Sequence, residues 1–118
     1  MVTLYIGNRM VSHSHKQRDA VFRALADPTR RDILRLLLSG RKTVGEIACD
    51  FPVSRPAISK HLRSLRSAGL VVTRKDGRTR FCSLNGGPLG VVNEWLRDYE
   101  SFWSETMQNL KGYVEKNQ

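Results

Sequence analysis

Apolar positions along this chain change period several times, and each change marks an element. Across residues 16–25, Ala20, Val21, Ala24 and Leu25 recur at helical spacing. Asp27-Pro28 then opens a second helix, with an acid at the cap and a proline in the first turn, where its missing N–H costs nothing. That helix is expected to reach about Ser39, with Ile33, Leu34, Leu36, Leu37 and Leu38 as core and Gly40 as a left-handed stop. Thr43-Val44-Gly45-Glu46 fits a capping box, hydroxyl to backbone at one end and carboxylate to backbone at the other. It starts a short helix to about Asp50 that buries Val44, Ile47 and Ala48. Phe51-Pro52-Val53 makes a turn, because proline disfavours helix in the residue before it. Ser54 caps the next helix, which ends near Ala68 with Gly69 as its stop.

Beyond Gly69 the period falls to two. Residues 70–75 and 78–84 flank Asp76-Gly77, a hairpin signal in which both loop residues are expected at positive φ. The expected register sets Val72 opposite Phe81, Lys75 opposite Arg78 and Val71 opposite Cys82, an apolar base under a cationic tip. Like charges facing each other at the tip cost stability, which a counter-anion would relieve. Asn85-Gly86-Gly87-Pro88 breaks the chain, and a long helix follows to about Val114. Leu89, Val92, Leu96, Tyr99, Trp103, Leu110 and Val114 hold helical spacing along it, and Trp95, Phe102, Met107 and Tyr113 widen the stripe. Residues 1–15 lack clear periodicity and are expected to be an N-terminal arm or disordered tail, leaving 16–118 as one domain.

Charge separates two regions of that domain. The chain has 118 residues and a formal net charge of +9. Residues 54–82 hold eight basic residues against the single acid Asp76, a net +7, whereas residues 88–115 hold two against five, a net −3. One face is therefore suited to a polyanion and another is not. Two helices joined by a short turn follow the helix-turn-helix plan. With Ile58, Leu62 and Leu65 turned inward, Pro56, Ser59, Lys60 and Arg63 project outward, Arg55 and Arg66 lie at the flanks, and His61 sits at the border. Small residues at Ser54 and Ser59 let the backbone approach a DNA major groove, and Arg55, Lys60 and Arg63 reach phosphates or guanine edges. Thr43, at the start of the preceding helix, is placed for a backbone contact. The basic hairpin adds Arg74, Lys75, Arg78 and Arg80.

Other classes fit less well. No apolar run is long enough to cross a bilayer and the N-terminus lacks a secretory pattern, so no membrane partner and a cytoplasmic location are expected. No nucleophile–base pattern, glycine-rich phosphate loop or metal cluster appears, so neither an enzyme nor a cofactor is expected. Stacking aromatics of the kind RNA modules use are absent from the basic region. Cys49 and Cys82 form no CxxC pattern and are expected to be small buried core residues, with a thiol-responsive sensor as the alternative. His13-Ser14-His15 has a spacing seen in terminal metal sites but is expected to be incidental.

Residues 22–84 resemble the ArsR family of winged helix-turn-helix bacterial repressors, most specifically through LADPTRRDIL and VSRPAISKHLRSLRSAGLV. The resemblance implies a mainly α fold with a small β-hairpin wing: four helices, two strands, then a last helix. It also implies double-stranded DNA as partner, with helix 54–68 in the major groove, hairpin 71–84 as the wing and Arg78 at its tip. Ser54, Arg55, Ser59, Lys60 and His61 would lie on or near the reading helix. A homodimer on a palindromic operator follows from the same source, built from the first and last helices; the interface residues expected there are Val21, Leu25, Leu89, Val92, Leu96, Tyr99, Phe102, Trp103 and Leu110. Repression is the family's usual mode. Its metal sites use a cysteine cluster on the helix corresponding to residues 44–50 or carboxylates and histidines on the last helix. Here the first offers only Cys49 and the second has no histidine, so no metal site is expected. The aromatic stripe of the last helix reads as a dimer seam or as the lining of an apolar effector pocket, and no small-molecule effector is identified.

Overall fold

Backbone capping divides the chain where the sequence places its polar punctuation. A computed structural model describes the backbone of residues 2–6 and 9–116 and the side chains of residues 14–115. Strands β1 (Val2–Ile6) and β2 (Arg9–His13) pair antiparallel, Val2 with His13, so the expected arm contains a ribbon. The side chain of His13 lies outside the described residues. Helix α1 (His15–Leu25) starts on Ser14, whose hydroxyl accepts the Gln17 N–H at 3.1 Å. Helix α2 (Pro28–Leu37) starts on Asp27, whose carboxylate accepts the Arg30 N–H at 3.0 Å. The guanidinium of Arg30 turns back to donate to the carbonyls of Ala24 and Arg23, and Arg31 donates to that of Leu25. Two cations are thus engaged on the orphan carbonyls that end α1.

Helix α3 (Val44–Cys49) carries the full capping box: Glu46 N–H to Thr43 Oγ1 at 3.1 Å and Thr43 N–H to Glu46 Oε1 at 3.0 Å. Helix α4 (Arg55–Ser67) begins at Ser54, whose hydroxyl accepts the Ala57 N–H at 3.2 Å. It ends in a Schellman motif, with Gly69 N–H donating to Arg66 O and Leu70 N–H to Leu65 O, both at 2.9 Å. Gly69 takes φ +79°, and a Cβ there would lie 3.3 Å from Pro88. Asn85 ties the far end of the hairpin to this same corner through its side chain to Gly69 O and its N–H to Leu70 O, each at 2.8 Å.

The hairpin comprises β3 (Val71–Asp76) and β4 (Thr79–Leu84), in a register two residues from the expected one. Val71 faces Leu84, Val72 faces Ser83, Thr73 faces Cys82, Lys75 faces Arg80 and Asp76 faces Thr79. The loop is Gly77-Arg78, not Asp76-Gly77. Of the two loop residues only Gly77 has a positive φ, +65°, and among the described residues no non-glycine residue does. Glycine at the first loop position meets the requirement of a type II′ turn, and Asp76 is spared the left-handed region. Lys42 adds a one-residue bridge to β4, N–H to Cys82 O at 3.0 Å and Cys82 N–H to Lys42 O at 2.7 Å. A 3₁₀ turn (Gly87–Leu89) then leads into α5 (Gly90–Lys116).

One core joins these parts: Val21 and Ala24 of α1, Ile33, Leu34 and Leu37 of α2, Ile47 of α3, Ile58, Leu62 and Leu65 of α4, then Leu70, Val71, Cys82 and Val91. Three expectations change here. Leu38 is 72 % exposed, because it lies roughly 90° from the centre of the Ile33-Leu34-Leu37 stripe. Cys49 is exposed, since it sits about 200° round a short helix from the buried Ile47. Val21, expected at a dimer interface, is 0 % exposed within the single chain and has no surface to offer a partner. Cys82 is buried as expected, though opposite Thr73 instead of Val71.

The Arg30 N–H holds the Asp27 carboxyl below the ordinary aspartate range; partial burial opposes this, and the His61 and Arg30 charges assist it. Asp27→Ala should therefore cost about 1 kcal/mol in urea unfolding at pH 7 and fixed protein concentration. A depressed folded pKa contributes stability above the unfolded value and loses it as pH falls through the folded one. The gap between wild type and variant should accordingly narrow below about pH 4.

Candidate nucleic-acid interface

The apolar stripe of α4 decides what its other side presents. Ile58, Leu62 and Leu65 are fully buried, so Arg55, Pro56, Lys60 and Arg63 face solvent while Ser59 is half-buried among them. The start of α3, the first residue of α4 and the outer wing come together around a groove of about 480 Å³. Thr43, Val44, Arg55, Lys75, Arg78, Thr79 and Arg80 line it, four cations with no acid among them. A Cβ at Gly45 of α3 would lie 3.9 Å from the guanidinium of Arg55, so α3 borders that side chain at close range. Lys75 and Arg80 face each other as a like-charged pair, which an anion in the groove would relieve.

Five expected DNA-contacting residues therefore line one concave surface: Thr43, Arg55, Lys75, Arg78 and Arg80. Pro56, Ser59, Lys60 and Arg63 lie on the outward side of α4. Arg74 is exposed on the opposite face of the ribbon from Lys75. Two expected residues have other engagements. The Ser54 hydroxyl is occupied by its cap bond, and His61 places Nδ1 3.8 Å from Asp27 Oδ2 with a side chain only 23 % exposed. Arg66 donates to Thr73 Oγ1 at 3.3 Å and so belongs to the wing base. Arg41 was not in the expected set, yet it contacts the wing directly. It precedes the basic block and follows the helix stop, so nothing in the local pattern marks it.

A second surface runs along α5. Leu89, Val92 and Leu96 are half-buried, as is Leu25 of α1, whereas Tyr99, Phe102, Trp103 and Leu110 are exposed; Trp103 is 48 % exposed and Phe102 62 %. Trp95 meets Phe22 of α1 edge-on at 6.1 Å between centroids and Tyr99 at 5.2 Å. Phe22 was also missed, although it is 39 % exposed beside the buried Val21. Among the described residues, no group of three His, Cys, Asp or Glu side chains is arranged to hold a metal ion. No helix among them is long and apolar enough to cross a membrane.

Residues 27–73 match the family model of the bacterial regulatory protein arsR family. The chain is 39% identical over 102 residues to the HTH-type transcriptional regulator Rv2034 of Mycobacterium tuberculosis, covering 86% of this chain and 90% of that protein. It is 40% identical over 79 residues to the transcriptional repressor SdpR of Bacillus subtilis, covering 67% of this chain and 88% of the relative. A solved ArsR-like transcriptional regulator from Rhodococcus sp. RHA1 superposes with a TM-score of 0.65 at 32% identity, over 84% of this chain and 93% of the other. The chain accordingly belongs to the arsR family and is a winged helix-turn-helix, DNA-binding transcriptional regulator.

Proposed function

We propose that the protein is a cytoplasmic homodimeric repressor of a palindromic operator, with α4 in the major groove and the β3–β4 wing on the flanking backbone. The observation that carries this reading is the acid-free groove of Arg55, Lys75, Arg78 and Arg80 beside the exposed Lys60 and Arg63. Such a surface binds phosphates in the groove and reads bases from the helix. Phosphate contacts release counterions, so affinity falls steeply with salt.

The dimer is supported by the exposed apolar stripe of α5. Single exposed apolar residues are ordinary, but a continuous aromatic patch marks an interaction surface. Phe102, Trp103 and Leu110 form its outer half, and Trp95, edge-on to Phe22, carries it across to α1. Asp98, Glu100 and Glu105 on the same helix repel DNA, which keeps the seam and the reading face apart. Pairing two protomers there would set two reading helices on one duplex about 34 Å apart. The repressor name of the Bacillus relative supports repression as the output.

Arg78→Ala should weaken operator binding and reduce the slope of log affinity against log salt by about one, read by fluorescence anisotropy across a salt series. Lys60→Ala should instead alter the ranking of operator variants, by about 1–3 kcal/mol at the base pair it reads. If neither affinity nor ranking moves, the groove assignment is wrong. Trp103→Glu should shift sedimentation at micromolar protein toward the monomer and lower operator affinity along with it. A wild-type protein that sediments as a monomer bound to its operator would overturn the dimer.

A further inference from the structure

The outer wing has little to rest on. Its base is held by the buried Val71 and Cys82, by the Lys42–Cys82 backbone bridge, and by Arg66 on Thr73. The Asp76–Thr79 pair lies three pairs farther out than Thr73–Cys82, about 10 Å along the ribbon. A two-stranded ribbon of that kind is marginal alone. Arg41 reaches into this stretch from the loop between α2 and α3. Its Nη2 donates to Asp76 Oδ2 at 2.9 Å, and its guanidinium carbon sits 3.9 Å from the centroid of the Phe81 ring.

Strand alternation shows which face is gripped. Asp76 and Phe81 share one face, and Lys75 and Arg80 share the other with the buried Cys82. Arg41 therefore grips the face of the ribbon opposite the groove-lining pair Lys75 and Arg80. Phe81 presents an aromatic face to the guanidinium, and the carboxylate fixes that cation's far end.

We propose that Arg41 is a positioning residue for DNA binding, which with Asp76 and Phe81 clamps the wing at the angle that closes the cationic groove. The inference rests on the reading of the wing as a DNA contact. It also reverses the expectation from charge alone. Asp76 is the one acid in the +7 block of residues 54–82, so simple electrostatics says that removing it tightens DNA binding. The clamp says that removing it loosens the wing and weakens binding.

Asp76→Asn, Arg41→Gln and the double variant separate these views, using the intact protein with two readouts. Amide hydrogen exchange in the free protein should speed up at residues 74–81 in either single variant. Operator affinity should fall about three- to tenfold in each, as expected for one exposed ion pair joined to a cation–π contact. The double variant should be no weaker than the worse single, because one interaction is lost in all three. Unchanged exchange, or tighter binding by Asp76→Asn, overturns the clamp. Faster exchange with unchanged affinity also overturns its role in binding, and Arg78→Ala then locates the fault. If Arg78→Ala weakens binding, the wing reading stands and only the clamp fails; if it too is silent, the wing reading itself has failed.

Discussion

Burial of one side of α4 is the constraint on which the rest of the structure depends. Ile58, Leu62 and Leu65 are all 0 % exposed, packed where α1, α2, α3 and the wing base meet. Each fully buried aliphatic side chain contributes about 1.5–3 kcal/mol relative to exposure, so rotation of this helix about its axis is costly. The same restriction keeps Lys60 and Arg63 outward. Stability and reading face are two sides of one helix, and a change to the inner stripe would also move the cations.

From α4 the order passes to the wing through a corner held by backbone. The Schellman motif at Gly69, the two bonds from Asn85, and the Lys42–Cys82 bridge link the end of α4, both strands of the ribbon and the loop before α3. Charge comes after these links, not before them. Lys75 and Arg80 are placed side by side against their mutual repulsion because the strands are paired by other forces, and the result is a groove with a standing preference for an anion.

Opposite charge logic governs α5. Its acids and exposed aromatics give it an affinity for apolar surface and none for phosphate, whereas α4 and the wing have the reverse. The two properties sit on different elements of one small domain. The core reaches both: Val91 of α5 and Val21 of α1 are buried with the α4 stripe.

Local chemistry was legible in the residues themselves. Ser14 aside, the caps at Asp27, Thr43 and Ser54, the stop at Gly69 and the inward set Ile58, Leu62 and Leu65 follow from interactions within one or two turns, which is why reading the chain finds them. The wing register was not legible, because a slip of two residues leaves every side chain on its original face and the alternating pattern cannot sense it. Gly77 at the first loop position and the bridge from Lys42 settled it. Cys49 came out exposed because a six-residue helix has room to bury only one side. His61 turned to Asp27 and Arg41 to Asp76, 34 and 35 positions away in the chain, and separations of that size carry no periodic signal. The sequence by itself determined the helices, the wing hairpin, the caps at Asp27, Thr43 and Ser54 and the sign of each surface, since those depend on neighbours a few residues apart; the β1–β2 ribbon and the Ser14 cap were not read from it. Tertiary structure alone decided which cations stand together and which are engaged in holding the wing, since that depends on distant segments meeting in space.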